Sequence, residues 1–137
     1  MRAGSSTNRT VLLVDDDADN LRIYASILRV HGYSVLEART GAEALPLARG
    51  QPLDLVVMDL KMPQLDGWKT LELLRDDEAT KHLPVIALTV IAPGEDRRDP
   101  LSRGFDAHWV KPLSPTHLLE RVQQWIGGAE RGTAASS

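Results

Sequence analysis

Three consecutive aspartates, Asp15, Asp16 and Asp17, follow the apolar run 11–14 without a break. Adjacent carboxylates repel one another, and a nearby cation or protonation is needed to hold them together. Further along, Asp59 closes the run "LVVM", Thr89 follows "VIAL", and Lys111 follows "HWV". Carboxylates with a backbone carbonyl, and no Cys or His, make a hard oxygen site suited to magnesium. That ion keeps positions open for phosphate oxygens, and a lysine and a hydroxyl on the opposite side would meet the same oxygens. A carboxylate in line with a phosphoryl group can be its nucleophile. If these residues converge, they form a phosphate site with a carboxylate inside it.

Convergence depends on the elements that carry them. Short apolar runs at 11–14, 33–38, 53–58, 85–88 and 107–110 have strand length and are rich in Val, Ile and Leu. "VLLV" and "LVVM" are apolar throughout, as in a parallel sheet covered on both faces, whereas "YSVLEA" is mixed and suits an edge. Helical patterns lie between them. Ala18, Leu21, Ala25 and Leu28 repeat at helical spacing before Gly32, and Thr40 can cap a helix over 41–49. Helices are also predicted over 66–76 and 94–103, and Leu118, Val122 and Trp125 give a last helix its stripe. Five strand–helix pairs imply a doubly wound α/β fold of flavodoxin-like type, with helices on both faces and strand order 2-1-3-4-5. In such sheets ligands bind beyond the carboxyl ends of the strands, where the order reverses. Asp15, Asp16, Asp59, Thr89 and Lys111 all fall at that edge.

Composition bounds the alternatives. With 137 residues, 42% apolar content and a net charge of −3, the chain suits one domain and gives no sign of a nucleic-acid or membrane surface. It has no cysteine, so no disulfide or thiolate metal site is available, and its histidines lack ligand spacing. No stretch has the length of a membrane span and the start lacks a signal-peptide core, which points to a cytoplasmic protein. Residues 1–8 and 128–137 are small and polar and read as disordered tails around a folded unit over 9–127.

Taken singly, the candidate residues have plainer uses. An acidic cluster at a strand end commonly caps a helix, Asp66-Gly67 is turn chemistry, and a lone Lys or Thr can be solvated surface. Together, and in order, "VLLVDDD", "DLVVMDLKMPQLDGW", "PVIALTV" and "VKP" resemble the receiver domain of two-component response regulators. The resemblance implies that Asp59 is the phosphoacceptor. It also implies that Asp16, Asp59 and the backbone carbonyl of Lys61 ligate Mg²⁺, with Asp15 holding a metal-bound water. Lys111 would pair with phosphoryl oxygens beside a cis bond to Pro112, and Thr89 would move inward to meet them. Asp17 is then left as a helix cap.

The same resemblance implies a phosphorylatable switch and not an enzyme in the ordinary sense. Its phosphodonor would be a histidine kinase or phosphotransfer protein. Its unknown downstream partner would meet the face of the fourth predicted helix, the fifth strand and the last helix, the protein being a monomer or a phosphorylation-dependent dimer. No output domain follows residue 127, which suggests a stand-alone regulator. The alternative is an interaction module that kept the fold without phosphorylation. A haloacid-dehalogenase-like phosphatase would want an acid two residues after its nucleophile, where Lys61 stands. Several positions depart from the usual pattern. His108 replaces the aromatic ring commonly found three residues before the lysine, and it could make the switch pH-sensitive. Val90 is larger than usual beside Thr89. Pro46 and Pro100 lie inside predicted helices and should kink or shorten them.

Overall fold

The computed structural model describes residues 9–60, 67–89 and 104–128. Their elements run β1 (Thr10–Val14), α1 (Ala18–Val30), β2 (Ser34–Ala38), α2 (Gly41–Gly50), β3 (Leu55–Asp59), α3 (Gly67–Arg75), β4 (Val85–Thr89), β5 (Ala107–Val110) and α4 (Pro115–Ile126). All neighbouring strands pair in parallel in the order β2-β1-β3-β4-β5, as the alternation of runs and helices predicts. Tails 1–8 and 129–137, the helix predicted over 94–103, Val90, Pro100, Lys61 and Asp66 lie outside the described residues.

Alternate side chains of the strands feed two cores. Val11, Leu13, Leu55, Val57, Ile86 and Leu88 pack against α1 and α4 on one face. Leu12, Val14, Val56, Met58, Val85 and Ala87 pack against α2 and α3 on the other. The central strands are therefore buried on both sides, which explains their unbroken apolar sequence. β2 sits at an edge with the mixed pattern expected there.

Local chemistry sets the boundaries. The Asp17 carboxylate accepts from the Asp19 and Asn20 amides at 3.0 and 3.2 Å and opens α1. Gly32, with φ 96°, closes it. The Gly32 amide donates to the Arg29 carbonyl at 3.0 Å, and the Tyr33 amide donates to that of Leu28 at 3.1 Å. This use of its amide withdraws Tyr33 from the predicted second strand, which begins at Ser34. The third strand likewise starts two residues later than predicted, because Asp54 exchanges bonds with Thr10 through both its amide and its carboxylate.

Two expectations about helices need correction. α2 runs through Pro46 over its full predicted length. The ring removes one backbone donor, but Ala44, Leu45 and Ala48 remain buried against the sheet and hold the helix. Trp125 does not join the buried stripe of α4: it is 40% exposed, while Leu118, Leu119 and Val122 are buried. At 3.6 residues per turn, Ile126, one residue further on, continues the line 118–122 and packs against the core instead. At the opposite end of the sheet from the acids, Arg75 ties α3 to the starts of β4 and β5. It donates to the carbonyls of Lys81, Leu83 and Gly104, and pairs with Asp106 at 3.0 Å.

Candidate phosphoryl and metal site

The carboxyl ends of β1, β3, β4 and β5 bring the candidates together. One carboxylate oxygen from each of Asp15, Asp16 and Asp59 lies within 4.8 Å of the others. Asp15 and Asp59 are buried, because each stands at the inner end of a central strand. The Asp15 amide donates to the Ala38 carbonyl and its Oδ1 accepts from the Asp17 amide at 3.0 Å, so β2 and the start of α1 fix both its backbone and its side chain. The Arg39 guanidinium reaches the Asp16 carbonyl at 3.3 Å from across the β2–α2 connection.

Lys111 closes the other side. Its amide donates to the Thr89 carbonyl at 2.8 Å, which places the lysine at the end of β4. Its Nζ donates to Asp59 Oδ2 at 2.8 Å and stands 3.7 Å from Asp15 Oδ2. The bond from Lys111 to Pro112 is cis, in agreement with the family resemblance. Thr89 is the last residue of β4 and is half-buried. His108 is exposed on β5, on the sheet face of Ala87, its partner in the ladder.

Among the described residues, the electrostatics follow from the Lys111 ammonium facing Asp15 and Asp59. Burial pushes the Asp15 carboxyl up to about 6, aided by the charge of Asp59 and opposed by the Asp17 amide and Lys111. For Lys111, burial works against the charge, but the hydrogen bond and attraction of Asp59 and the attraction of Asp15 outweigh it and hold the ammonium above its ordinary value. Asp15 Oδ2 is buried without a hydrogen-bond partner. A buried, unsatisfied carboxylate oxygen inside an all-oxygen cluster is what a hard cation would satisfy, so the residues fit magnesium.

Two participants were not singled out in the sequence. Tyr24, buried on α1, donates its hydroxyl to the Leu113 carbonyl at 2.6 Å, just beyond the lysine. Its signal was its place in the α1 stripe between Leu21 and Ala25. Gly67, read from the sequence as turn chemistry, has a packing reason as well. It starts α3, and a Cβ there would stand 2.7 Å from the Asp59 carbonyl oxygen and 3.0 Å from the Leu60 Cα. Any larger residue would have to displace the backbone that carries Asp59.

A parallel 2-1-3-4-5 sheet with acids and a lysine at its switch point defines a receiver-type signalling domain. The chain belongs to the response regulator receiver domain family, whose profile matches residues 11–123. The polar-differentiation response regulator DivK of Brucella ovis is 33% identical over 121 residues, 88% of this chain and 98% of that protein. The chemotaxis response regulator CheY4 of Vibrio cholerae superposes with a TM-score of 0.79 at 29% identity, covering 88% of this chain and 100% of that one. The receiver domain of a Pseudomonas aeruginosa sensor histidine kinase gives 0.78 at 33% identity over 88% and 99%, and holds a magnesium ion coordinated in its active-site cleft. Receiver domains serve two-component signalling with histidine kinases or phosphotransfer proteins and are not enzymes in the ordinary sense. Among the described residues, no helix is long and apolar enough to cross a membrane.

Proposed function

We propose that this domain is a phosphorylation-dependent switch that accepts a phosphoryl group on Asp59 from a histidine kinase or phosphotransfer protein. The observation that carries the reading is the Lys111–Asp59 contact at 2.8 Å inside a cluster of three carboxylates. Asp16, Asp59 and the Lys61 carbonyl would hold Mg²⁺, with Asp15 acting through a water. When bound, the ion supplies positive charge against the acids and the incoming phosphoryl oxygens.

An Asp59 carboxylate oxygen forms the bond to phosphorus as the phosphorus–nitrogen bond of a phosphohistidine breaks. The electron pair returns to the imidazole, which takes a proton from solvent. Lys111 exchanges its carboxylate partner for a phosphoryl oxygen, and its charge opposes the negative charge that develops there. Thr89 donates its hydroxyl to another oxygen by moving inward. Folding over residues 9–127, with tails on both sides, would suffice for this chemistry. A cytoplasmic location suits the donor.

Incubation with acetyl phosphate and Mg²⁺ tests the reading. Intact mass should rise by one phosphoryl group, and borohydride reduction followed by peptide mapping should place it at Asp59. An unchanged mass, or a label elsewhere, would refute it.

The output surface would include β5 and α4, where His108, Val110 and Trp125 are exposed among the described residues; the stretch 94–103, predicted to complete it, lies outside them. His108, exposed on β5, would follow Thr89 inward on phosphorylation. NMR spectra with and without beryllofluoride should give different His108 ring shifts in the two states; identical shifts would exclude the coupling.

A further inference from the structure

We propose that Tyr24 is a positioning residue for Lys111: its hydroxyl, 2.6 Å from the Leu113 carbonyl, fixes the turn that carries the lysine from β5 into the acidic cleft. The proposal rests on the reading of Lys111 as the partner of the phosphoryl oxygens.

The connector between β5 and α4 spans only residues 111–114. It is held at its start by the Lys111 amide on Thr89 and at its end by the Ser114 hydroxyl, which caps α4 through the His117 amide at 3.1 Å. Between these points the Tyr24 hydroxyl anchors the carbonyl of Leu113, and the Leu113 side chain is buried in the α1–α4 core. This bond joins residues 89 apart in sequence. It links the helix that begins beside Asp15 and Asp16 to the loop that begins with Lys111, so the acids and their counter-charge are fixed to each other from both sides. Burial pushes the Tyr24 phenol above its ordinary value, which keeps it a donor, and it lies close enough to feel Lys111, Asp15 and Asp59. A phenylalanine would fill the same core volume but leave the Leu113 carbonyl without its partner.

The need for such an anchor follows from the lysine's task. During phosphoryl transfer the ammonium must leave Asp59 Oδ2 for an oxygen on the incoming group, so its contact with Asp59 cannot serve as a permanent restraint. The backbone must supply one. Thr89 holds the amide of Lys111, but in the proposed switch Thr89 is the residue that would move. Tyr24 sits on α1 and anchors the connector from the other side, at the Leu113 carbonyl.

The experiment compares wild type, Tyr24→Phe, Lys111→Ala and the double variant. Beryllofluoride affinity in the presence of Mg²⁺ should fall roughly two- to tenfold in Tyr24→Phe. It should not fall further when the same change is made in Lys111→Ala, since Tyr24 acts through the lysine. In the metal-free protein, the Lys111 side-chain NMR resonances should shift in Tyr24→Phe, reporting a looser pair with Asp59. Equal losses of affinity in both backgrounds, or unmoved Lys111 resonances, would overturn the proposal and leave Tyr24 as a core residue. If wild type neither binds beryllofluoride nor takes up phosphate, the phosphoacceptor reading fails instead, and the metal-free Lys111 resonances still decide the role of Tyr24.

Discussion

Asp59→Asn should take up no phosphoryl group from acetyl phosphate, and its metal-free form should melt above wild type. The first effect is chemical: an amide oxygen is a poor nucleophile towards phosphorus, and Asp15, the other carboxylate near Lys111 among the described residues, stands further from it, at 3.7 Å against 2.8 Å for Asp59. The second is electrostatic. Wild type gathers Asp15, Asp16 and Asp59 beside the Lys111 ammonium, and the substitution removes one negative charge from that cluster. The asparagine oxygen can still accept from Lys111 Nζ, so the hydrogen bond is kept, while the repulsion that adds to burial in raising the Asp15 carboxyl is relieved. A net gain of about 1 kcal/mol is expected, which corresponds to roughly 4 °C for a domain of this size. Intact mass and thermal melts in a chelator read the two effects separately. Labelling at the wild-type level would remove Asp59 from its role; a lower melting temperature would show that the Lys111 pair outweighs the repulsion.

The sheet and its switch point were legible because the information is local. Apolar runs of strand length, separated by helical periods, leave few topologies, and the parallel order then sends every strand end to one edge. Asp17 was separable from its two neighbours because an N-cap has its own position before a helix. What was not legible depends on contacts between distant parts of the chain. Tyr24 looks like any stripe residue until Leu113 is placed above it. Gly67 looks like turn chemistry until the Asp59 carbonyl is found where its Cβ would go. Trp125 and Ile126 stand three and four residues beyond Val122, both spacings compatible with the α4 stripe, and only the packed core shows that Ile126 continues it.

The same cluster makes stability depend on pH in opposite senses with and without magnesium. Burial lifts the Asp15 carboxyl from 3.8 to about 6 in the folded protein. Between about pH 4 and about pH 6 the native state therefore holds a proton that the unfolded chain has released, and stability falls as pH rises through that window. Below it both states are protonated, and above it both are ionised, so this group adds no further slope. Other carboxylates contribute their own slopes; Asp77, lowered by its bond to the Ala79 amide and by Arg49, has the opposite sign and loses stability as pH falls. The Asp15 effect is isolated as the difference between wild type and Asp15→Asn, whose side-chain oxygen can still accept from the Asp17 amide. In a chelator, the variant should gain on wild type progressively across the window and then hold a constant lead. With magnesium in excess, the order should reverse above about pH 6, because the ion binds the ionised carboxylates and releases the proton that Asp15 carried. Urea unfolding midpoints for both proteins, taken across this range with chelator and with magnesium, provide the measurement. A difference that does not change with pH in the chelator would show that Asp15 is already ionised throughout, and that Lys111 and the Asp17 amide offset its burial.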